Sequence, residues 1–282
     1  MTPNPLDSVS SASYQGSDGA ALHFLERPAR NIAAETVVFL PSLFFGSTMF
    51  ADVLNAMPAE WRLVCPDHRG QGRSESGTLR PTMGQLASDT AALIDALGSE
   101  PVHVVGSSMG GYVALELISQ RPELLRSCVL SCCTAEAEQQ PERFEALEAS
   151  LRQQGAAAMV EALVATMFGT RFIEDGGEAL AHWRAHLAAI DPRIPDAVHE
   201  VFARRSYVDM LREIRTPMLL VSGALDRAKN PADMQFIADR VKGSRHVVMD
   251  DSGHTPPIEE PERFAREVTR FIASTTLRES TH

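Results

Sequence analysis

Short apolar runs alternate with stretches of helical periodicity over much of this 282-residue chain. Residues 36–40, 62–65, 102–105, 127–132, 218–222 and 246–249 are compact, largely apolar runs. Their length and β-branched content suit strands buried on both faces. Residues 21–25 alternate weakly and read as an edge strand. Between the runs the apolar residues fall at helical spacing: Met49, Val53, Leu54 and Met57; residues 83–97, stopped by Gly98; Met109, Val113, Leu117 and Ile118; then residues 234–241 and 261–272. Residues 1–13, rich in Ser, Pro and Asn, predict a loose tail. Strands alternating with helices predict an α/β fold with a mostly parallel central sheet and helices on both faces.

The pattern changes between Thr134 and Met210. Strand-like runs stop, and helix-periodic segments follow one another at 141–154, 156–168, 178–190 and 196–210. Gly169, Gly176-Gly177 and Asp191-Pro192 separate them. The expected organisation is an α/β core of residues 1–133 and 211–282 with a helical cap, 134–210, inserted between two strands. Such a cap covers the carboxyl edge of the sheet, where ligands bind in this architecture.

One turn concentrates the chemistry. Gly106-Ser107-Ser108-Met109-Gly110 joins the run at 102–105 to a helix and fits G-x-S-x-G with Ser108 at its centre. Residue frequencies alone give this pattern in about one chain in ten of this size, so its strand–turn–helix setting carries the weight. A serine hydroxyl is a weak nucleophile without a base, and the base needs a third group to fix its tautomer. Asp226 follows the run at 218–222, and His254 follows the run at 246–249. Both fall beyond strand ends, on the same sheet edge as Ser108 if the strands are parallel. Asp251 is a rival acid, but it lies three residues before His254 in the same loop, a poor position for orienting the ring. Of the other histidines, His103 sits in a strand, His68 in a loop, and His182, His186 and His199 in the helical segment.

A formal charge of −11 argues against nucleic acid and anionic membranes as partners. No apolar run approaches the roughly 20 residues of a membrane span, and no secretory leader is evident. Cys65, Cys128, Cys132 and Cys133 lack metal-ligand spacing and read as buried thiols of a cytoplasmic protein. No motif calls for a metal or a cofactor.

Taken together, the loop at 41–46, Asp67-His68-Arg69-Gly70-Gln71-Gly72-Arg73-Ser74, the turn at 106–110, residues 223–226 and Gly253-His254 resemble a serine hydrolase of the α/β-hydrolase fold with a helical cap. The resemblance implies Ser108 as nucleophile, His254 as base and Asp226 as its orienting acid. It also implies that the Asp67–Ser74 stretch braces loops and is not catalytic. In much of that family the loop after the first buried strand reads His-Gly; here it reads Pro41-Ser42, followed by Leu43. The amides of Leu43 and Met109 are then the expected oxyanion donors. Pro41-Ser42-Leu43 with Gly46-Ser47 is similar to the Asn-Ser-Leu-Gly pattern of 3-oxoadipate enol-lactonases, which favours a small ester or lactone substrate. A C–C bond, a thioester, or ligand binding with little turnover are the alternatives, with a cofactor-free perhydrolase or haloperoxidase side activity also compatible. Haloalkane dehalogenation is disfavoured, because that chemistry uses Asp at the position of Ser108. Ser42, Phe44, Phe45, Met109, Met159, Met167, Phe168 and Trp183 are candidate pocket residues, and Arg204-Arg205 a candidate carboxylate contact.

Overall fold

The computed structural model describes residues 9–30, 35–98 and 101–279. Eight strands form one sheet: β1 (Ser10–Gln15), β2 (Ala21–Arg27), β3 (Thr36–Leu40), β4 (Arg62–Pro66), β5 (Val102–Ser107), β6 (Leu125–Ser131), β7 (Met218–Gly223) and β8 (Arg245–Met249). Their spatial order is β1-β2-β4-β3-β5-β6-β7-β8. The first two join antiparallel and the remaining six are mutually parallel. β3, β5, β6 and β7 are almost wholly buried, which is why they read as unbroken apolar runs.

The amino-terminal expectation needs correcting. Residues 1–8 lie outside the described residues, but Ser10–Gln15 is a strand and forms the sheet edge. Ala21–Arg27 is therefore the second strand. β1 escaped notice because it is exposed along most of its length and has no apolar face to alternate. Backbone pairing with β2 and the Tyr14 ring tilted against Phe24 at 6.1 Å hold it.

The helices are α1 (Ala51–Ala56), α2 (Met83–Ala96), α3 (Met109–Gln120), α4 (Pro141–Gln154), α5 (Val160–Met167), α6 (Thr170–Asp175), α7 (Gly177–Ala188), α8 (Ile194–Phe202), α9 (Pro231–Ala238), α10 (Pro256–Glu259) and α11 (Pro261–Glu279). Helices α4–α8 all fall between β6 and β7 in the chain. Two of the predicted helices there are shorter than their periodicity suggests. Residues Ala156–Met159 form a 3-10 turn ahead of α5. α8 stops at Phe202, where the Arg204 guanidinium turns back to donate to the carbonyls of Val201 and Glu136 at 2.6 and 3.1 Å. Among the described residues no helix is long and apolar enough to cross a membrane.

Close contacts around β5 and α3 set the height of the central turn. A Cβ on Gly110 would lie 2.1 Å from the Leu40 carbonyl oxygen, and one on Gly106 would lie 2.3 Å from that of Gly110. Gly110→Ala therefore has to push α3 off β3. It is expected to cost about 3 kcal/mol, seen as a fall of about 6 °C or more in the thermal midpoint.

Candidate functional site

β5 ends in Ser108, whose backbone sits at φ 50°, ψ −110°. This is a region that residues with a side chain rarely occupy. Glycines on either side make the approach possible, and the Ser108 amide donates to the Ser131 carbonyl at 2.8 Å. The hydroxyl is thereby fixed above the sheet edge at the start of α3.

His254 and Asp226 arrive at the same point from the loops after β8 and β7. The Ser108 hydroxyl donates to His254 Nε2 at 2.8 Å, and His254 Nδ1–H donates to Asp226 Oδ2 at 2.8 Å. All three are largely buried, at 9%, 4% and 9% exposure for Ser108, His254 and Asp226. The other oxygen of Asp226 accepts the amides of Ala228 and Lys229 at 2.7 and 2.9 Å, so the carboxylate cannot swing away from the ring. Asp251 is elsewhere: it is exposed and meets Arg171 at 2.8 Å.

A residue that the sequence did not single out holds the histidine loop. The half-buried Glu259 carboxylate accepts the amides on both sides of His254, Gly253 at 2.8 Å and Thr255 at 3.0 Å, and also the Thr255 hydroxyl. Its fourth donor is the amide of Gly169 at 2.7 Å, from the link between α5 and α6. Burial pushes this carboxyl above its usual range, with the hydrogen bonds opposing. Glutamine in its place keeps the shape but turns an NH₂ group toward these donors. Glu259→Gln is expected to leave KM near its original value and lower kcat by about tenfold, because small misplacements of a base are costly. Stability should fall by about 1–3 kcal/mol as buried donors lose their acceptor. Steady-state kinetics beside a thermal melt check both.

The loop after β3 is held at several points. His68 and His186 each face a carbonyl, which only accepts, so Nε2 carries the proton in both. His68 donates to Pro41 at 3.1 Å and His186, from α7, donates to Phe44 at 2.9 Å. Burial pushes the His68 ring down to about 4, so it is neutral at physiological pH. Phe44 takes a positive φ of 77°. Asp67 accepts the Ser47 amide at 2.5 Å and the Arg73 amide at 2.9 Å, which ties the Asp67–Ser74 stretch to this loop. Among the described residues the amides of Leu43 and Met109 have no protein acceptor. The buried Ser42 hydroxyl likewise has no partner.

A pocket of about 470 Å³ opens onto Ser108 and His254. Of the candidate lining residues it takes in Ser42, Phe44 and Met167. Phe45, Phe168 and Trp183 do not line it. Phe45 meets Phe168 at 6.3 Å, Trp183 at 5.4 Å and stacks on His186 at 5.7 Å. These rings bind the helical segment to the loop, and edge-to-face packing satisfies them there. Met109 and Met159 also lie outside the lining, Met109 fully buried and Met159 packed on the core. Arg204 and Arg205 are occupied too: the first lies over the Tyr112 ring at 4.2 Å, and the second grips Glu116 at 2.8 and 2.7 Å. The lining that the sequence did not indicate includes Tyr112, Glu138, Arg143, Phe144, Arg227 and Lys229.

Among the described residues, Cys132, Asp226 and His254 are the one group of potential metal donors, within 4.8 Å of one another. Asp226 and His254 are already bonded to each other, and the Cys132 thiol, which burial pushes far above its usual range, points to the Gly253 carbonyl at 3.7 Å. A metal would have to displace the carboxylate from the ring and remove the thiol proton.

A model of the alpha/beta hydrolase family matches residues 37–267. The chain belongs to that family. The match spans the sheet from β3 to β8, the inserted helices and all three hydrogen-bonded residues. A protein of Pseudomonas savastanoi pv. phaseolicola, provisionally named carbamate hydrolase RutD, is 28% identical over 247 residues, covering 86% of this chain and 95% of that protein. The solved enol-lactonase of Burkholderia xenovorans superposes with a TM-score of 0.86 at 25% identity, over 93% of this chain and 99% of the other. A thermophilic esterase from Thermogutta terrifontis, solved with malate bound, gives 0.86 at 23% identity, over 95% and 98% of the two chains. This chain is thus an α/β-hydrolase-fold enzyme, with relatives named for hydrolysis of several kinds of acyl bond.

Proposed function

We propose that this protein hydrolyses a carboxylic ester or lactone through an acyl-enzyme on Ser108. What carries the reading is the continuous hydrogen-bonded chain Ser108–His254–Asp226, with both links at 2.8 Å, facing a pocket. In the reaction Ser108 Oγ attacks the carbonyl carbon as its proton passes to His254 Nε2. The developing oxyanion is met by the Leu43 and Met109 amides, which are free of protein acceptors among the described residues and, for Met109, lie at a helix start. His254 then gives the proton to the leaving oxygen and the C–O bond breaks. Water attacks the acyl-enzyme, loses a proton to His254, and the acid departs as Ser108 regains its hydrogen. Asp226 fixes the Nδ1–H tautomer and stabilises the cationic ring. A small molecule is the expected partner, since the pocket, lined in part by α4, α5 and α8, holds about 470 Å³.

The enol-lactonase and esterase relatives support an oxygen ester over a C–C bond. The test is hydrolysis of p-nitrophenyl acetate and butyrate, run beside labelling with an organophosphonate. Turnover and a single adduct on the peptide bearing Ser108 are expected. An adduct on another residue, or no turnover of either ester, sinks the proposal.

A further inference from the structure

The pocket that holds Ser108 is lined by two unlike sets of residues. One is apolar, built from Phe144 and Leu147 of α4, Met167 of α5 and Val201 of α8. The other carries Arg143 of α4 together with Arg227 and Lys229, from the turn that follows Asp226. One carboxylate, Glu138, lines the same space, and its charge is already met. Arg204 and Lys229 each approach it at 3.5 Å, and the amides of Gln139 and Gln140 donate to it at 3.1 Å.

That leaves two guanidiniums. Arg143 donates to the neutral Oε1 of Gln140 at 2.9 Å, and Arg227 makes no ion pair or hydrogen bond among the described residues. Other arginines of the helical segment meet carboxylates: Arg152, Arg171, Arg184, Arg193 and Arg205 all do. The chain holds 37 acidic against 26 basic residues. Carboxylates are thus in excess, yet among the described residues none meets the two guanidiniums that line this pocket. A guanidinium offers a planar fork of donors matched to a carboxylate.

We infer that the pocket selects an ester joining an apolar chain to a carboxylate. The chain lies on Phe144, Leu147 and Val201, and the carboxylate meets Arg143 and Arg227. A cavity of about 470 Å³ is large enough for such a molecule. The inference rests on the hydrolase reading above and adds the substrate class to it.

Two matched pairs test it, one for each side of the ester bond. On the acyl side, p-nitrophenyl hydrogen suberate is compared with p-nitrophenyl octanoate, which has the same chain length without the acid. On the alcohol side, the acetate ester of a hydroxyoctanoic acid is compared with octyl acetate. The readout is the ratio of kcat/KM for the acid ester over its neutral partner, in the wild type and in the Arg143→Gln/Arg227→Gln double variant. In at least one pair the ratio is expected to fall about tenfold or more in the variant, and to shrink in the wild type as salt is raised. Both residues are exposed, so the substitutions should leave the thermal midpoint in place. Free suberate gives a second reading without any variant: it should inhibit octanoate ester turnover by the wild type, less so at high salt. Ratios unchanged in both pairs overturn the inference, with neutral-ester turnover showing that the hydrolase reading stands. A wild type that turns over none of the four esters overturns both.

Discussion

Ser108→Ala is expected to lower turnover of p-nitrophenyl butyrate by about 10⁴-fold or more. The alanine Cβ occupies the position of the serine Cβ, at the same φ of 50°, so the substitution removes the hydroxyl and little else. His254 keeps its bond to Asp226, and the Leu43 and Met109 amides keep their places. Residual activity therefore reports what the amides and the pocket contribute alone. A thermal melt superimposable on that of the wild type shows that the loss is chemical. Near-complete retention of activity would mean that another group attacks the carbonyl.

Asp226→Asn is expected to cost a comparable factor, on the order of 10⁴ in kcat. Asparagine keeps one oxygen, and that oxygen can still accept the amides of Ala228 and Lys229. The turn then stays in place while the atom facing His254 Nδ1 becomes an NH₂ group. The ring is left with either two opposed donors at Nδ1 or the wrong tautomer, and in the second case Nε2 carries the proton and no longer accepts that of serine. Asp251→Asn is the control. It weakens an exposed pair with Arg171, and kcat should stay within about twofold, since such pairs contribute little. A larger loss for Asp251→Asn than for Asp226→Asn, measured on the same ester, would reverse the assignment of the orienting acid.

Much of this site is legible in the chain because each part sits at a strand end. Fully buried parallel strands such as Val102–Ser107 and Met218–Gly223 advertise themselves as apolar runs, and the loops beyond them inherit a common edge. That edge gathers the loops of Ser108, Asp226 and His254, and the G-x-S-x-G turn and the family resemblance pick those residues out within them. β1 was illegible because an exposed edge strand has no apolar face, and the pairing that makes it a strand comes from β2. Phe45 and Trp183 misled for a related reason: an aromatic side chain in a loop or on a helix carries no sign of which space it fills. Here the two rings meet each other instead of the pocket. Glu259 carries no motif of its own, and its importance appears only when Gly169, Gly253 and Thr255 converge on it.

That convergence bears on how enzymes of this shape can diverge. The backbones at Gly169 and Gly253 touch so closely that a Cβ on Gly253 would lie 2.2 Å from the Gly169 nitrogen. Nothing larger than glycine fits on either side, and the Thr255 hydroxyl reaches across to the Met167 carbonyl at 3.0 Å. The inserted helices are thus no interchangeable module. A chimera that imports a foreign set between β6 and β7 inherits working histidine geometry only if residues 167–169 travel together with residues 253–259. On the proposed mechanism, recombination that respects this seam leaves His254 in place for a new substrate, whereas crossovers that cut it displace the ring.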